Sequence, residues 1–239
     1  MTGDRLVSRS RRIPEATVVR LPVYQRILAG LLRAGVATVS SDKLAELARM
    51  SAAKVRKDLS LLGSFGTRGT GYDAAFLVAQ IDQALGVDRD WPVAIVGIGN
   101  LGRALVGSEG FRSRGFRVAA LFDVDPAVVG EKVGPVVVRH VDDLASLGPE
   151  DRPAIGVIAT PADAAQEVCD ALVGIGVPSI LTFAPVVLSV PYDVHLRYVD
   201  LSIELQVMSF YQTRRMSPDG GEVPVLRSVG LTPGAGRPA

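Results

Sequence analysis

An α/β fold in two unlike parts is predicted for this 239-residue chain by three observations. Residues 14–62 hold three apolar runs at helical spacing, separated by short polar stops and followed by a glycine-rich stretch. From Trp91 onward, short apolar runs of strand length alternate with helical stretches, as in a parallel sheet wrapped by helices. Gly97-x-Gly99-x-x-Gly102 stands where the first of those strands passes into the first helix, which is the context that turns a weak motif into a useful one. Together these predict an N-terminal winged helix-turn-helix domain, then a Rossmann-type parallel-sheet domain, then a C-terminal helix.

Residues 1–13 are rich in Ser and Arg and read as a disordered basic arm. Pro14-Glu15-Ala16 opens a helix, and Val19, Val23, Ile27, Leu31 and Leu32 repeat at helical spacing to about Arg33. Pro22 inside that run either breaks the helix or marks its true start. Ser40 or Ser41 caps the next helix, with Leu44, Leu47 and Ala48 as its apolar face. A break at Met50-Ser51 supplies a second cap. The third helix runs to Leu62 with Val55, Leu59 and Leu62 inward, and Gly63 ends it. Residues 64–72 are glycine-rich and carry Arg68 and the aromatics Phe65 and Tyr72; a short β-hairpin fits them. Residues 73–86 form a linking helix.

The sheet strands are expected at 91–96, 117–122, 136–138, 154–159, 179–183 and 196–199, with helices from Asn100 and from Ala162 to about Gly174. A last helix covers about Asp200–Gln212, and the Pro- and Gly-rich 214–239 reads as a disordered tail. The domains expected are therefore 14–86, 87–199 and a helix at 200–213.

Charge divides the same way. Residues 1–80 hold 13 Lys/Arg against six Asp/Glu, and the rest hold 13 against 19. A basic first part points to a polyanion partner there. Cys169 is the only cysteine, so no intrachain disulfide forms, which fits a reducing cytoplasm. No apolar run approaches the ~20 residues of a membrane span, and no secretory signal is visible at the N-terminus. His140 and His195 lack metal-type or triad-type neighbours, so they read as structural or surface residues and no metal is expected.

Chemistry concentrates in two places. The segment from about Tyr24 to Gly63 holds the helix-turn-helix, with Ser51 at the cap and Ala52, Ala53, Lys54, Arg56 and Lys57 facing a major groove. Arg68 on the wing suits the adjoining minor groove. The bland alternative is a solvated basic helix; the glycine-rich hairpin behind it favours double-stranded operator DNA. In the second place, Gly97, Ile98, Gly99, Asn100, Leu101 and Gly102 form a turn whose first glycine allows the sharp bend. The second glycine lets a pyrophosphate approach, and the third lets helix and strand pack. Asp123 ends the next strand 21 residues after Gly102, where a carboxylate takes the ribose hydroxyls and repels a 2′-phosphate, favouring NADH and NAD+ over their phosphorylated forms. Its plain alternative is a turn residue in Asp123-Val124-Asp125-Pro126. Thr160-Pro161 and Phe183-Ala184-Pro185 follow strands at their carboxyl ends and line the nicotinamide pocket, or are ordinary strand-to-loop residues. The last helix carries Leu201, Leu205, Met208, Phe210 and Tyr211, more apolar surface than one sheet edge covers, which favours contact with a second subunit.

These motifs in order resemble the Rex family of redox-sensing transcriptional repressors. The resemblance spans residues 14–212 and rests on Val55-Arg56-Lys57-Asp58-Leu59-Ser60, Gly69-Thr70-Gly71-Tyr72, the 97–102 turn, Phe122-Asp123-Val124-Asp125 and Phe183-Ala184-Pro185-Val186. It implies a homodimer with a domain-swapped C-terminal helix, bound to operator DNA and released by NADH but not by NAD+. It also implies a switch built from Arg26 and Asp200. The chain departs from some relatives at Ser108, where they carry the tyrosine that joins those two residues, and at Leu201, where they carry an aromatic. Two rivals stand beside this reading: an NAD-dependent dehydrogenase, for which no substrate domain is left over, and a module for another nucleotide such as a CoA-type cofactor.

Overall fold

A computed structural model describes residues 13–63, 71–148 and 150–216. The chain divides into two compact units at Asp88.

The first unit opens with a single helical turn, α1 (Glu15–Val18), and then α2 (Leu21–Arg33). Pro22 sits in the first turn of α2, where its missing N–H has no partner to lose. It therefore marks a helix start, and the run from Pro14 is two helices. Leu21, Tyr24 and Leu28 are buried. A two-residue strand β1 (Thr38–Val39) precedes α3 (Ser41–Leu47), whose cap is Ser40, accepting from Lys43 N–H at 3.0 Å. Ser51 caps α4 (Ala52–Leu62), accepting from Lys54 N–H at 3.4 Å. The turn between α3 and α4 places Arg49 at φ 52°, a left-handed position more often given to glycine or asparagine. Strand β2 (Tyr72–Asp73) pairs antiparallel with β1, Val39 opposite Tyr72. Strands of two residues carry no readable period, so the sequence did not announce them. The hairpin expected around Arg68 falls on residues 64–70, outside the described residues, as do residues 1–12 of the expected arm. Helix α5 (Ala74–Leu85), capped by Asp73, packs Leu77 and Ile81 onto the core of Tyr24, Leu28, Val55 and Leu59.

In the second unit β3 (Trp91–Val96) leads through the glycine turn to α6 (Asn100–Val106) and a short α7 (Glu109–Arg112). Next come β4 (Phe116–Asp123), β5 (Lys132–Val133), β6 (Val136–His140), a 3-10 turn at Val141–Ser146 and β7 (Ile155–Ile158). The order closes with α8 (Ala165–Gly174), β8 (Ser179–Thr182), β9 (His195–Tyr198) and α9 (Leu201–Met216). The sheet runs β5-β6-β4-β3-β7-β8-β9. Only β5 is antiparallel; this two-residue edge strand adds a seventh member to the six expected. The order reverses direction between β3 and β7, and an open sheet of this kind binds ligands in the crevice outside the carboxyl ends there. One sheet face buries Phe122, Ile158, Cys169 and Leu172, and the other buries Ile95, Leu121 and Val157. Cys169 is thus a packed core residue.

Helix α9 runs four residues past the expected Gln212, and residues 214–216 belong to it, not to the tail. Arg214 lies 4.7 Å over the Phe210 ring, one turn back, a contact that favours continued helix. The remainder of the expected tail, 217–239, lies outside the described residues.

Candidate functional site

The crevice at the β3–β7 reversal is built from backbone. Gly97 has φ 95°, and a Cβ there would come 2.7 Å from Ala159 O and 3.0 Å from Thr160 N. Without a side chain, the end of β3 rests directly on the end of β7. A Cβ at Gly102 would collide with the carbonyl oxygen of Gly97, so that glycine sets the approach of α6 to the turn. Gly99 differs from both: nothing lies within 4 Å of the position its Cβ would take. The N-terminus of α6 opens there with Gly99 as its cap residue and no side chain capping it, leaving N–H groups that suit an anion.

Asp123 closes the turn. Its Oδ2 accepts from Ile98 N–H at 2.6 Å, and its Oδ1 accepts from Val124 N–H at 2.7 Å and Asp125 N–H at 3.0 Å. The plain turn role foreseen for this residue is realised, and the same carboxylate also pins the glycine turn. Ile98 is fully buried, its side chain in the core and its N–H engaged by Asp123. Asn100 and Leu101 are exposed on the first turn of α6. Across the crevice Thr160 follows β7, and its hydroxyl oxygen is buried without a hydrogen bond among the described residues. Pro161 and Pro185 are exposed, Phe183 is half-buried, and Ala184 packs into the core. An open cradle over Gly99, uncapped amides, a carboxylate beside the turn and an orphaned hydroxyl fit a dinucleotide. An apolar groove of about 300 Å³ lies at the opposite, amino ends of the strands, lined by Val93, Phe111, Phe116 and Leu181.

The basic surface belongs to α4. Ala53, Lys54, Arg56 and Lys57 are exposed while Val55, Asp58 and Leu59 are buried. Arg56 Nη1 donates to Ser41 Oγ at 2.9 Å, with Asp42 3.9 Å away, so the first turn of α3 holds it on the outer face. Arg68 lies outside the described residues.

Sequence reasoning missed what sits beneath that surface. Asp58, 2% exposed, accepts four hydrogen bonds: Arg20 Nε at 2.6 Å, Arg20 Nη2 at 2.6 Å, Tyr24 Oη at 2.8 Å and Thr17 Oγ1 at 3.0 Å. Burial pushes the Asp58 carboxyl up, but bonds from Arg20, Tyr24 and Thr17 outweigh it and hold it below the usual carboxylate range. Burial also pushes the Tyr24 phenol up, and its bond to Asp58 adds to that. The signal was present: Thr17, Arg20 and Tyr24 fall at i, i+3 and i+7, and an acid lies inside the apolar stripe of α4.

The resemblance residues stand apart in the chain. Arg26 is exposed on α2. Ser108 is the residue before α7 and makes no capping hydrogen bond. Asp200 precedes α9, accepting from Ser202 N–H at 2.8 Å and Ser202 Oγ at 2.6 Å. Leu201 is 72% exposed, as much of the apolar surface of α9 is.

Two family models match, "Putative DNA-binding protein N-terminus" over residues 12–60 and "CoA binding domain" over residues 88–186. A redox-sensing transcriptional repressor Rex of Streptomyces coelicolor is 56% identical over 227 residues, covering 93% of this chain and 88% of that one. The chain belongs to the Rex family. The Rex protein of Desulfitobacterium hafniense is 48% identical over 199 residues, covering 83% of this chain and 95% of that one. Among solved structures, RSP in complex with beta-NAD+ and operator DNA superposes with a TM-score of 0.80 at 34% identity, covering 85% of this chain and 94% of that one. RSP in complex with beta-NADH gives 0.79 at 33%, covering 85% and 96%. These Rex relatives bear the names of repressors, so the regulator reading stands and the dehydrogenase rival falls. Among the described residues no group of three metal-ligating side chains occurs, and no helix is long and apolar enough to cross a membrane.

Proposed function

We propose that this chain works in the cytoplasm as a homodimeric repressor that holds a palindromic operator and lets go when it binds NADH but not NAD+. The observation that carries the reading is the open turn over Gly99, closed on one side by the Asp123 carboxylate, in one chain with the exposed Lys54-x-Arg56-Lys57 face of a capped two-helix reader.

In this reading residues 14–86 form the DNA reader. Ser51 fixes the start of α4, Arg56 meets a base edge, and Lys54, Lys57 and Arg68 meet base edges or phosphates. Residues 87–199 hold the nucleotide. Gly97, Ile98, Gly99, Asn100, Leu101 and Gly102 present backbone to the pyrophosphate, Asp123 accepts from the adenosine ribose, and Thr160, Pro161, Phe183, Ala184 and Pro185 line the nicotinamide end. A ribose-binding carboxylate favours NADH over a CoA-type ligand, whose ribose carries a 3′-phosphate. The bound nicotinamide supplies one thing the protein lacks, a ring whose charge and planarity depend on its redox state. The residues around it convert that difference into a preference between two arrangements of the dimer. Arg26, Ser108, Asp200, Leu201 and the swapped helix 200–213 are the coupling elements of this reading, with Ser108 standing where some relatives carry a tyrosine.

A ligand shifts an equilibrium only by its differential affinity for the two states. Near-complete switching needs about 5.5 kcal/mol, which two sites per dimer divide to roughly half each. The test is a gel-shift with a palindromic operator titrated with NADH and, separately, NAD+. NADH is expected to release the DNA and NAD+ to leave it bound. Equal response to both would refute the reading, and so would an Arg56→Ala variant that still binds the operator.

A further inference from the structure

We propose that Asp58 is a positioning residue for base readout: with Arg20, Tyr24 and Thr17 it fixes the rotation of α4 about its own axis and thereby aims Arg56. The inference rests on the operator-binding reading above and deepens it.

Asp58 lies two residues beyond Arg56, about 200° around the helix, so the two side chains leave α4 on opposite faces. The inner one is held by four donors from one stripe of α1, α2 and the turn between them. A carboxylate has about four acceptor sites, and here all are taken in directions fixed by a bidentate guanidinium, a phenol and a threonine hydroxyl. The apolar neighbours Val55 and Leu59 are buried too, but aliphatic contacts are non-directional and tolerate small rotations. A rotation of about 20° moves a side-chain tip ~6 Å from the axis by roughly 2 Å, enough to take a bidentate contact out of hydrogen-bond range.

An apolar replacement of a buried ion pair is often neutral or stabilising. Asp58 is 2% exposed and its partner Arg20 has a side chain 18% exposed. A carboxylate at such a position, on the helix that carries the basic face, adds direction that an apolar pair of equal stability would lack. The outer end is aligned independently, since Ser41 Oγ accepts from Arg56 Nη1 at 2.9 Å. The reading side chain is thus pinned from both sides of its helix.

The experiment uses the full chain as a dimer and three variants: Asp58→Asn, the milder pair Thr17→Val with Tyr24→Phe, and the apolar replacement Arg20→Met with Asp58→Leu. Each is measured at a temperature where circular dichroism reports it folded. The readouts are affinity for the operator, affinity for scrambled DNA with its salt slope, NADH binding and thermal midpoint. Asp58→Asn is expected to lose at least tenfold in operator affinity, with scrambled-DNA affinity, its salt slope and NADH binding within twofold of wild type. The milder pair is expected to lose about threefold. The apolar pair is expected to recover the thermal midpoint without recovering discrimination between operator and scrambled DNA. A folded variant with wild-type discrimination overturns the proposal, and so does an apolar pair that recovers midpoint and discrimination together. Wild-type protein that binds all DNA alike would bring down the operator reading, and this inference with it.

Discussion

The three glycines of the dinucleotide turn respond differently to the same one-carbon change, and the structure sets the size of each response. At Gly97, φ 95° alone costs alanine about 1–2 kcal/mol. The added carbon also meets the Ala159 carbonyl oxygen at 2.7 Å, and that neighbour is backbone which cannot rotate away. A total of about 3 kcal/mol is expected. At roughly 3 °C per kcal/mol for a chain of this size, Gly97→Ala should lower the thermal midpoint of the nucleotide-free protein by about 10 °C. Gly102→Ala should do at least as much, because its Cβ would overlap the Gly97 carbonyl. Gly99→Ala meets nothing within 4 Å and sits at φ −72°. A slightly poorer helix cap is set against a stiffer unfolded chain, so its stability should stay within about 1 kcal/mol of wild type. Its cost should appear only with ligand present, as at least a tenfold loss of NADH affinity, about 1.4 kcal/mol, because the methyl occupies the space a phosphate needs. The assays are thermal unfolding without ligand, NADH titration by calorimetry, and a gel-shift in which Gly99→Ala stays on the operator at NADH concentrations that release wild type. A Gly99→Ala protein as unstable as Gly97→Ala, or one that binds NADH normally, would refute the reasoning.

Three further outcomes follow. Asp123→Asn should weaken NADH and narrow its advantage over NADPH, as calorimetry with both nucleotides would register; an unchanged ratio would remove the ribose role. The depressed carboxyl of Asp58 contributes stability that is present above its unfolded value near 4 and is lost as pH falls through the lower folded value. Acid unfolding followed by circular dichroism should therefore show wild type losing stability below about pH 4, with Asp58→Asn flatter across that window; superimposable profiles would contradict this. Met208→Glu should shift the chain from dimer to monomer in light scattering and weaken operator binding with it, since Met208 is 62% exposed on α9; a stable dimer would assign the interface elsewhere.

The sequence was most legible where pattern and chemistry coincide. The strands around Ile95, Leu121 and Val157 announce themselves as short apolar runs, and the glycine turn is placed by the strand before it and the helix after it. Short elements were not legible: β1, β2 and β5 are two residues each, below any period, and exist because neighbouring segments present free backbone groups. The buried network was hidden for another reason. Asp58 lies on the apolar stripe of α4, but its partners Arg20 and Tyr24 stand 38 and 34 residues away, so the spacing hints at a buried acid and only the packing identifies what pairs with it. Asp123 is singled out by the sequence as a candidate ribose ligand, but its bond to Ile98 N–H depends on how closely β4 lies beside β3, which a linear reading does not provide. Pro22 was ambiguous until the packing of Leu21 showed which side of it the helix begins.

That triple engagement of Asp123 leaves a nearly full acceptor. Three main-chain amides occupy most of the roughly four lone-pair directions a carboxylate offers. In the proposed ribose role it could receive one sugar hydroxyl without rearrangement, and a second would have to displace an amide or turn to another oxygen. The carboxylate also has little rotational freedom left to surrender when a nucleotide arrives, so recognition at this end is preorganised, and a phosphoryl group brought to the same spot would find no donor waiting on that side chain.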